Sequence, residues 1–171
     1  MEASSNKERV VTDSKFEKGL ILFFRITMAW VFLYAASHQL FDPKFSAAGF
    51  LAHTKTFHDV FAPFAAPAIV PVTNFLVEWG HFLIGASLLT GCLVRLSAPF
   101  GILLMITYWF AHMDFPYVDN KLNFLFDYHL VYAGVLTYVI AKHAGHVFGL
   151  DGVIAKFKLA QEHPSVAALV A

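Results

Sequence analysis

Cysteine is nearly absent from this sequence, in which Cys92 is the only one among 171 residues. A single thiol excludes a disulfide within the chain, and it excludes a zinc or iron–sulfur site built from several cysteines of this chain. Residues 1–18 also lack the short apolar run and the small-residue cleavage site of a signal peptide. We therefore expect the first apolar segment to remain in the protein as an anchor.

Charged residues are scarce as well, at 14% of the chain against about 25% in soluble domains. Hydrophobic residues make up 58%, and the mean hydropathy is +0.61. The 12 basic residues are balanced by 12 acidic ones, so the net charge favours no nucleic-acid partner. This composition predicts an integral membrane protein that is surrounded by membrane lipid.

Four apolar runs organise the sequence, at about 19–41, 72–93, 96–113 and 123–141. Because a helix needs about 20 apolar residues to cross a bilayer, each run is interpreted as one span. The predicted fold is all-α, an integral membrane four-helix bundle that occupies residues 19–141. A polar N-terminal segment (1–18) precedes it, a C-terminal tail (142–171) follows it, and a proline-rich loop after the first span caps it.

Basic residues are distributed unequally between the two ends of the predicted helices. Eight lie on the side that holds both termini, and three lie on the other side. Because basic loops favour the cytoplasmic side, the N and C termini are predicted to be cytoplasmic. The chain is thus expected to be a multi-pass protein of the cell membrane.

Polar side chains inside the apolar runs are the candidate functional residues. In the predicted orientation six of them lie toward the outer ends of their helices: His38, Glu78, His81, His112, Asp127 and His129. Polar residues that had arisen independently would lie at different depths in the membrane. Because these six lie at a similar depth, we expect them to form a shared site. Glu78 and His81 are three residues apart and share one helix face. A carboxylate inside a membrane is costly without a partner or a task, so the site is expected to be organised around Glu78.

Proton transfer is the chemistry that these groups suit best. Histidine titrates near neutral pH, and a carboxyl group beside it can exchange protons with it. Such a pair could relay protons to a quinone, whose reduction consumes two. Four residues are the candidate catalytic groups: Glu78, His81, Asp127 and His129. The alternative is that these side chains only join neighbouring helices by hydrogen bonds.

A bound metal or cofactor is a further interpretation of the same residues. Glu78 and His81 form half of the ligand set of a carboxylate-bridged di-iron site, but the predicted spans contain no second glutamate. A haem or a single metal ion held by two histidines is chemically feasible, so the metal content stays open. Four residues are candidates for contacting a cofactor: Arg25, His38, Trp79 and His112. Arg25 could instead reach lipid head groups or pair with other groups of the protein, and Trp79 could belong to the interfacial aromatic belt.

Several stretches of the sequence resemble one known family. The segments FLYA (32–35) and DPKFSAAGFL (42–51) are similar to the first span and following loop of the DoxD/DoxX membrane proteins. The segments EWGH (78–81) and IGASLLTG (84–91) are similar to their glycine-bearing second helix. Finally, DYHLVYA (127–133) and GLD (149–151) resemble the fourth span and tail of the DoxD branch.

The resemblance implies a membrane subunit of a thiosulfate:quinone oxidoreductase, which oxidises thiosulfate to tetrathionate and reduces a membrane quinone. It also implies a second, smaller subunit of the DoxA type as partner, and a homo-oligomer is a further option. The quinone is expected to enter laterally, toward Glu78, His81 and Asp127. Two other functions stay open, namely a non-catalytic membrane partner that anchors a redox complex and a proton-coupled carrier of small solutes.

Overall fold

The longest helix, α1, begins at Lys15 and ends at Leu40 in a computed structural model that describes residues 14–170, with the backbone alone for residues 159 and 160. Ser14 caps the helix, because its hydroxyl oxygen accepts a hydrogen bond from the backbone N–H of Glu17 at 3.1 Å. Of the predicted polar segment, residues 1–13 lie outside the described residues, and residues 15–18 already belong to α1.

The other elements follow in this order: α2 (Ala48–Leu51), α3 (His58–Phe61), a 3-10 helix (Ala62–Ala65), α4 (Val70–Thr90), α5 (Val94–Ala111), β1 (Met113–Asp114), β2 (Tyr117–Val118), β3 (Asn120–Phe124), α6 (Tyr128–Ala141), a second 3-10 helix (Ala144–His146), α7 (Leu150–Ile154), α8 (Lys158–Glu162) and α9 (Pro164–Leu169). The chain is therefore mostly helical, and α1, α4 and α5 are long and apolar enough to cross a membrane. These three helices correspond to the first three apolar runs.

The fourth apolar run differs from the prediction at its beginning. Residues 120–124 form β3, which pairs with β2 in a small antiparallel sheet of order β1-β2-β3. Helix α6 begins only at Tyr128 and has 14 residues, so it is about 21 Å long against a hydrocarbon core of about 30 Å. The predicted helical start at residue 123 and a purely α-helical fold are therefore wrong here, because Asn123 and Phe124 of the run lie on β3 and the helix begins only after Asp127.

The core lies where the long helices meet. Helix α1 contacts α4 and α6, and α5 contacts α4 and α6, so the four helices pack around shared apolar side chains. Phe32 on α1, Leu88 on α4 and Leu136 on α6 are fully buried. Gly85 permits the close approach of α4 to α1, because a Cβ at this position would lie 2.7 Å from the Leu33 side chain.

A lid formed by residues 45–65 covers one end of these helices. Leu51 and Phe61 of the lid pack against Ala111 at the end of α5. The Lys55 ammonium forms an ion pair of 2.5 Å with Asp114 of β1, and the backbone N–H of Ala47 donates to the Asn74 side chain of α4 at 2.9 Å. The lid is thus attached both to the sheet and to a long helix.

Candidate functional site

Asp127 and His129 form a buried hydrogen-bonded pair at the beginning of α6. The side chains are 0% and 4% exposed, and His129 Nδ1 lies 2.6 Å from Asp127 Oδ2. The second carboxylate oxygen, Oδ1, caps the helix by accepting from the backbone N–H of His129 at 3.0 Å. One carboxylate therefore fixes both the start of the helix and the orientation of the imidazole.

Aromatic rings extend from this pair across the bundle. The rings of His129 and His112 are stacked with their centroids 5.0 Å apart. Tyr108 lies 5.8 Å from His129, 6.2 Å from His112 and 5.7 Å from His81, measured between ring centroids. The structure thus brings together Asp127, His129, His112 and His81, with Tyr108 at the centre; this group is called the histidine cluster below.

Hydrogen bonds fix the tautomer of all three imidazoles. Each Nδ1 faces an acceptor: the Val77 carbonyl for His81 at 2.7 Å, the Tyr108 carbonyl for His112 at 2.8 Å, and the Asp127 carboxylate for His129. Because these oxygens can only accept, Nδ1 carries the proton in each ring. In the neutral rings Nε2 is consequently unprotonated, and all three rings can accept a proton there.

The arrangement of side chains in the histidine cluster does not favour a metal site. Among residues 14–170, no group of three or more His, Cys, Asp or Glu side chains is arranged to hold a metal ion. His112 and His129 face each other as stacked rings, whereas two ligands of one metal ion direct their ring nitrogens to a common point. The arrangement is better suited to holding and moving protons than to ligating a metal.

Glu78 is not the centre of the cluster. Its side chain is half-buried on α4, three residues before His81, and within the described part of the chain it forms no hydrogen bond or ion pair. The expectation that polar groups are organised around Glu78 is therefore corrected: they contact Tyr108 instead. Tyr108 can contact all three histidine rings because it lies one turn before His112, which follows the last residue of α5, and it faces His81 and His129 on the neighbouring helices.

His38 and Trp79 lie outside the cluster. The exposed His38 contacts Tyr34 on its own helix, with ring centroids 4.4 Å apart. Trp79 is 42% exposed on the outer surface of α4 and contacts the rings of Phe75 and Phe82. The structure therefore does not bring these two candidate cofactor contacts to the other candidate residues.

Arg25, the remaining candidate cofactor contact, is fully buried near the other end of the helices. Its Nη1 donates to the carbonyls of Ala144 at 2.6 Å and Val147 at 2.8 Å, and Nη2 donates to that of Phe148 at 3.1 Å. The nearby carboxylate of Asp151 interacts with it electrostatically. Neither the head group of a lipid nor that of a cofactor is needed to explain this arginine, because it joins α1 to the segment after α6.

Asp151 connects the same end to the turn between α4 and α5. Its carboxylate accepts from the backbone N–H groups of Leu93 at 2.7 Å and Val94 at 3.1 Å, which caps α5. Burial raises the pKa of the Cys92 thiol in this turn, and the negative charge of Asp151 raises it further. Cys92 is therefore kept as a thiol rather than a reactive thiolate.

Two features of the site were not singled out from the sequence. Tyr108 is one of many aromatic residues in the apolar runs, although its spacing of four from His112 indicates a shared face. Gln39 is a polar residue of the first apolar run, and its Oε1 is buried and has no hydrogen-bond partner among the described residues. No local pattern marks Gln39, because its surroundings come from the lid.

Comparison with known proteins gives one match. A family model described as DoxX matches residues 20–113, which is more than half of the chain. The matched stretch contains most of α1 together with the lid, α4 and α5, and therefore His81, Tyr108 and His112; Asp127 and His129 lie beyond it. No curated protein and no solved structure matches the chain.

Proposed function

The chain belongs to the DoxX family, and from this premise we propose that it is the quinone-reducing membrane subunit of a sulfur-compound oxidoreductase of the thiosulfate:quinone type. In this proposal α6 is the fourth membrane helix, and both termini are cytoplasmic, in accord with the eight-to-three distribution of basic residues. A second, smaller subunit of the DoxA type completes the enzyme.

The reaction sets the requirement that the site has to meet. Two thiosulfate ions are joined through a new sulfur–sulfur bond into one tetrathionate, and this releases two electrons. A quinone takes up these two electrons together with two protons and becomes a quinol. The membrane subunit must therefore supply protons to a lipid-soluble acceptor at a place that bulk water does not fill.

The histidine cluster is the observation that carries the proposal. It offers three Nε2 atoms that can each take up and release a proton, and the buried Asp127 carboxylate stabilises the positive charge on His129 when that ring is protonated. A small polar pocket of about 150 Å³, lined by His53, Lys55 and His112, connects the cluster to the surface. Protons can thus enter at His112 and exchange with the adjacent His129 ring, so each ring can hold one of the two protons that the quinone takes up.

Thiosulfate-dependent reduction of a short-chain quinone by the protein, purified with its associated subunits from native membranes, tests this function. We expect one quinol for every two thiosulfate ions consumed. His129→Gln should lower the turnover about 100-fold or more, because general acid–base catalysis typically contributes that much. The matched control is His143→Gln, since His143 is exposed beyond α6 and lies outside the cluster.

The outcomes separate the competing functions. Loss of turnover in His129→Gln with normal assembly supports proton supply by the cluster. Wild-type membranes without any thiosulfate-dependent quinone reduction would refute the proposal, and thiosulfate or proton flux into proteoliposomes without a quinone would favour a carrier. If His129→Gln alters only the recovery of the associated subunits, the chain is an anchoring partner.

A further inference from the structure

A cavity of about 340 Å³ lies between the lid and the long helices. Its walls are mainly apolar and aromatic, and they include Phe45, Phe50, Phe64, Val77 and Leu104. The volume falls in the range of about 300–1,000 Å³ that is usual for small-molecule sites. Such a lining fits a flat hydrophobic ring and excludes a strongly hydrated anion such as thiosulfate.

Gln39 places a polar amide group in the wall of this apolar cavity. Its side chain lines the cavity, and its buried Oε1 has no hydrogen-bond partner within the described residues. A buried amide oxygen without a donor is unfavourable, so a ligand that supplies a donor at this place would recover free energy. The amide also carries N–H groups, which can donate to a ligand oxygen.

His112 connects the cavity to the histidine cluster. Its ring lines the cavity together with Tyr108, and its Nδ1 is occupied by the Tyr108 carbonyl. The Nε2 atom is therefore the one that can exchange a proton with a ligand. The cavity thus has one unsatisfied amide and one proton-exchanging nitrogen in an apolar wall.

A groove between α4 and α5 lies next to the cavity and opens on the lipid-facing surface. Leu104 and Thr107 line both the cavity and this groove, which has a volume of about 600 Å³. The groove is apolar, and its wall residues Leu83, Phe100 and Leu103 are exposed on the outside of the helices. A ligand that is dissolved in the membrane can therefore reach the cavity from the side.

We infer that the lid cavity holds the ring of the membrane quinone and that the groove between α4 and α5 holds its hydrocarbon tail. This inference rests on the proposed function and locates its electron acceptor. The Gln39 amide donates to a carbonyl oxygen of the quinone, and after reduction its oxygen accepts from the new hydroxyl group. His112 exchanges a proton with the reduced ring, and the cluster replaces it.

Binding of a short-chain quinone to the full chain in lipid nanodiscs tests the inference without any need for turnover. Gln39→Leu keeps the size of the side chain and removes its hydrogen bonds, so we expect the Kd to rise about tenfold. Gln161→Leu, an equivalent change at an exposed position of α8, should leave the Kd unchanged. Ala47→Phe should fill part of the cavity and abolish binding.

A substitution in the groove tests the access route. A Cβ at Gly80 would meet nothing within 4 Å, so Gly80→Leu can place a side chain in the groove without a clash. We expect it to weaken binding of a long-chain quinone more than that of a ring without a tail. A photoreactive quinone should label residues 45–64 or 104–112, and labelling confined to residues outside the cavity and the groove would overturn the inference.

The inference and the proposed function can fail separately. If the quinone binds with the expected dependence on Gln39 but the protein shows no thiosulfate-dependent reduction, the cavity is supported and the function is refuted. If turnover is present while Gln39→Leu and Ala47→Phe both bind the quinone normally, the function is supported and the cavity is not the quinone site. Thermal unfolding of each variant confirms that it is folded before binding is compared.

Discussion

Replacement of Asp127 by asparagine separates the structural task of this residue from its proposed chemical one. The carboxylate accepts two hydrogen bonds, from the backbone N–H and from Nδ1 of His129. Asparagine has one carbonyl oxygen and one NH₂ group in the same shape. If the oxygen keeps the helix cap, the NH₂ group faces Nδ1, and the imidazole has to move its proton to Nε2.

The expected loss of stability in Asp127→Asn is small. A hydrogen bond to a charged group contributes about 1.5–3 kcal/mol and a neutral one about 0.5–1.5 kcal/mol, so the exchange costs about 1 kcal/mol. Asp127→Ala removes the cap, at about 1 kcal/mol, and leaves the buried Nδ1–H without an acceptor, at about 1–3 kcal/mol. With about 2–4 °C per kcal/mol for a chain of this size, the Tm should fall by about 3 °C for Asn and about 9 °C for Ala.

The effect on the reaction is expected to be much larger. In Asp127→Asn the Nε2 atom of neutral His129 carries the proton, so it cannot accept another, and no carboxylate stabilises the charged ring. We expect the quinone-reductase turnover to fall about 100-fold, while the protein still folds. ¹⁵N spectra of labelled histidine report the tautomer, and tryptophan fluorescence reports unfolding. Turnover within twofold of the wild type in a folded Asp127→Asn protein would refute a role of this carboxylate in proton supply.

Three further predictions concern the opposite end of the helices and the topology. Arg25→Gln should lower the free energy of unfolding by at least about 3 kcal/mol, because three backbone carbonyls lose a charged donor; an unchanged unfolding curve would contradict this. Cys92 should react slowly with maleimide at pH 7 and faster above pH 9, since a raised pKa leaves little thiolate at neutral pH; rapid labelling at pH 7 would contradict it. With Cys92 replaced by alanine, cysteines at Lys55 and Lys121 should be labelled from outside the cell and one at Lys158 should not, and the reverse pattern would invert the proposed orientation.

Hydropathy was enough to predict the three membrane-length helices, because the length and composition of an apolar run decide whether it can cross a membrane. It was not enough for the beginning of the fourth run. Phe124 adds to the hydropathy of that run, but it lies on β3, where it is paired with Tyr117. Such pairing depends on a turn and a register that a window of mean hydropathy does not contain.

In the candidate site, too, the features that depend on sequence spacing could be predicted, and the contacts between different helices could not. The spacing of Glu78 and His81, and the position of Asp127 and His129 at the start of one helix, can be read from the sequence. The contact of His129 with Tyr108 and His112 cannot, since it depends on how α5 packs against α6. The partners of Arg25 lie 119 to 123 residues further along the chain, so the sequence left structural pairing open beside snorkelling and a ligand but could not identify the partners.

The polar groups at the two ends of the helices differ in how much of their hydrogen-bonding capacity is used. Near the turn between α4 and α5, both Nη atoms of Arg25 and both carboxylate oxygens of Asp151 are bound to backbone groups, and among the described residues only Nε of Arg25 is left there as a buried atom without a partner. At the lid, three imidazoles keep Nε2 without a hydrogen bond to any described residue, and the buried Gln39 Oε1 has no donor among those residues. Buried polar groups are normally satisfied, and unsatisfied ones require an explanation. The proposed quinone would supply this explanation at the lid end, so we expect substitutions of Arg25 to act mainly on folding and substitutions of Gln39 mainly on binding.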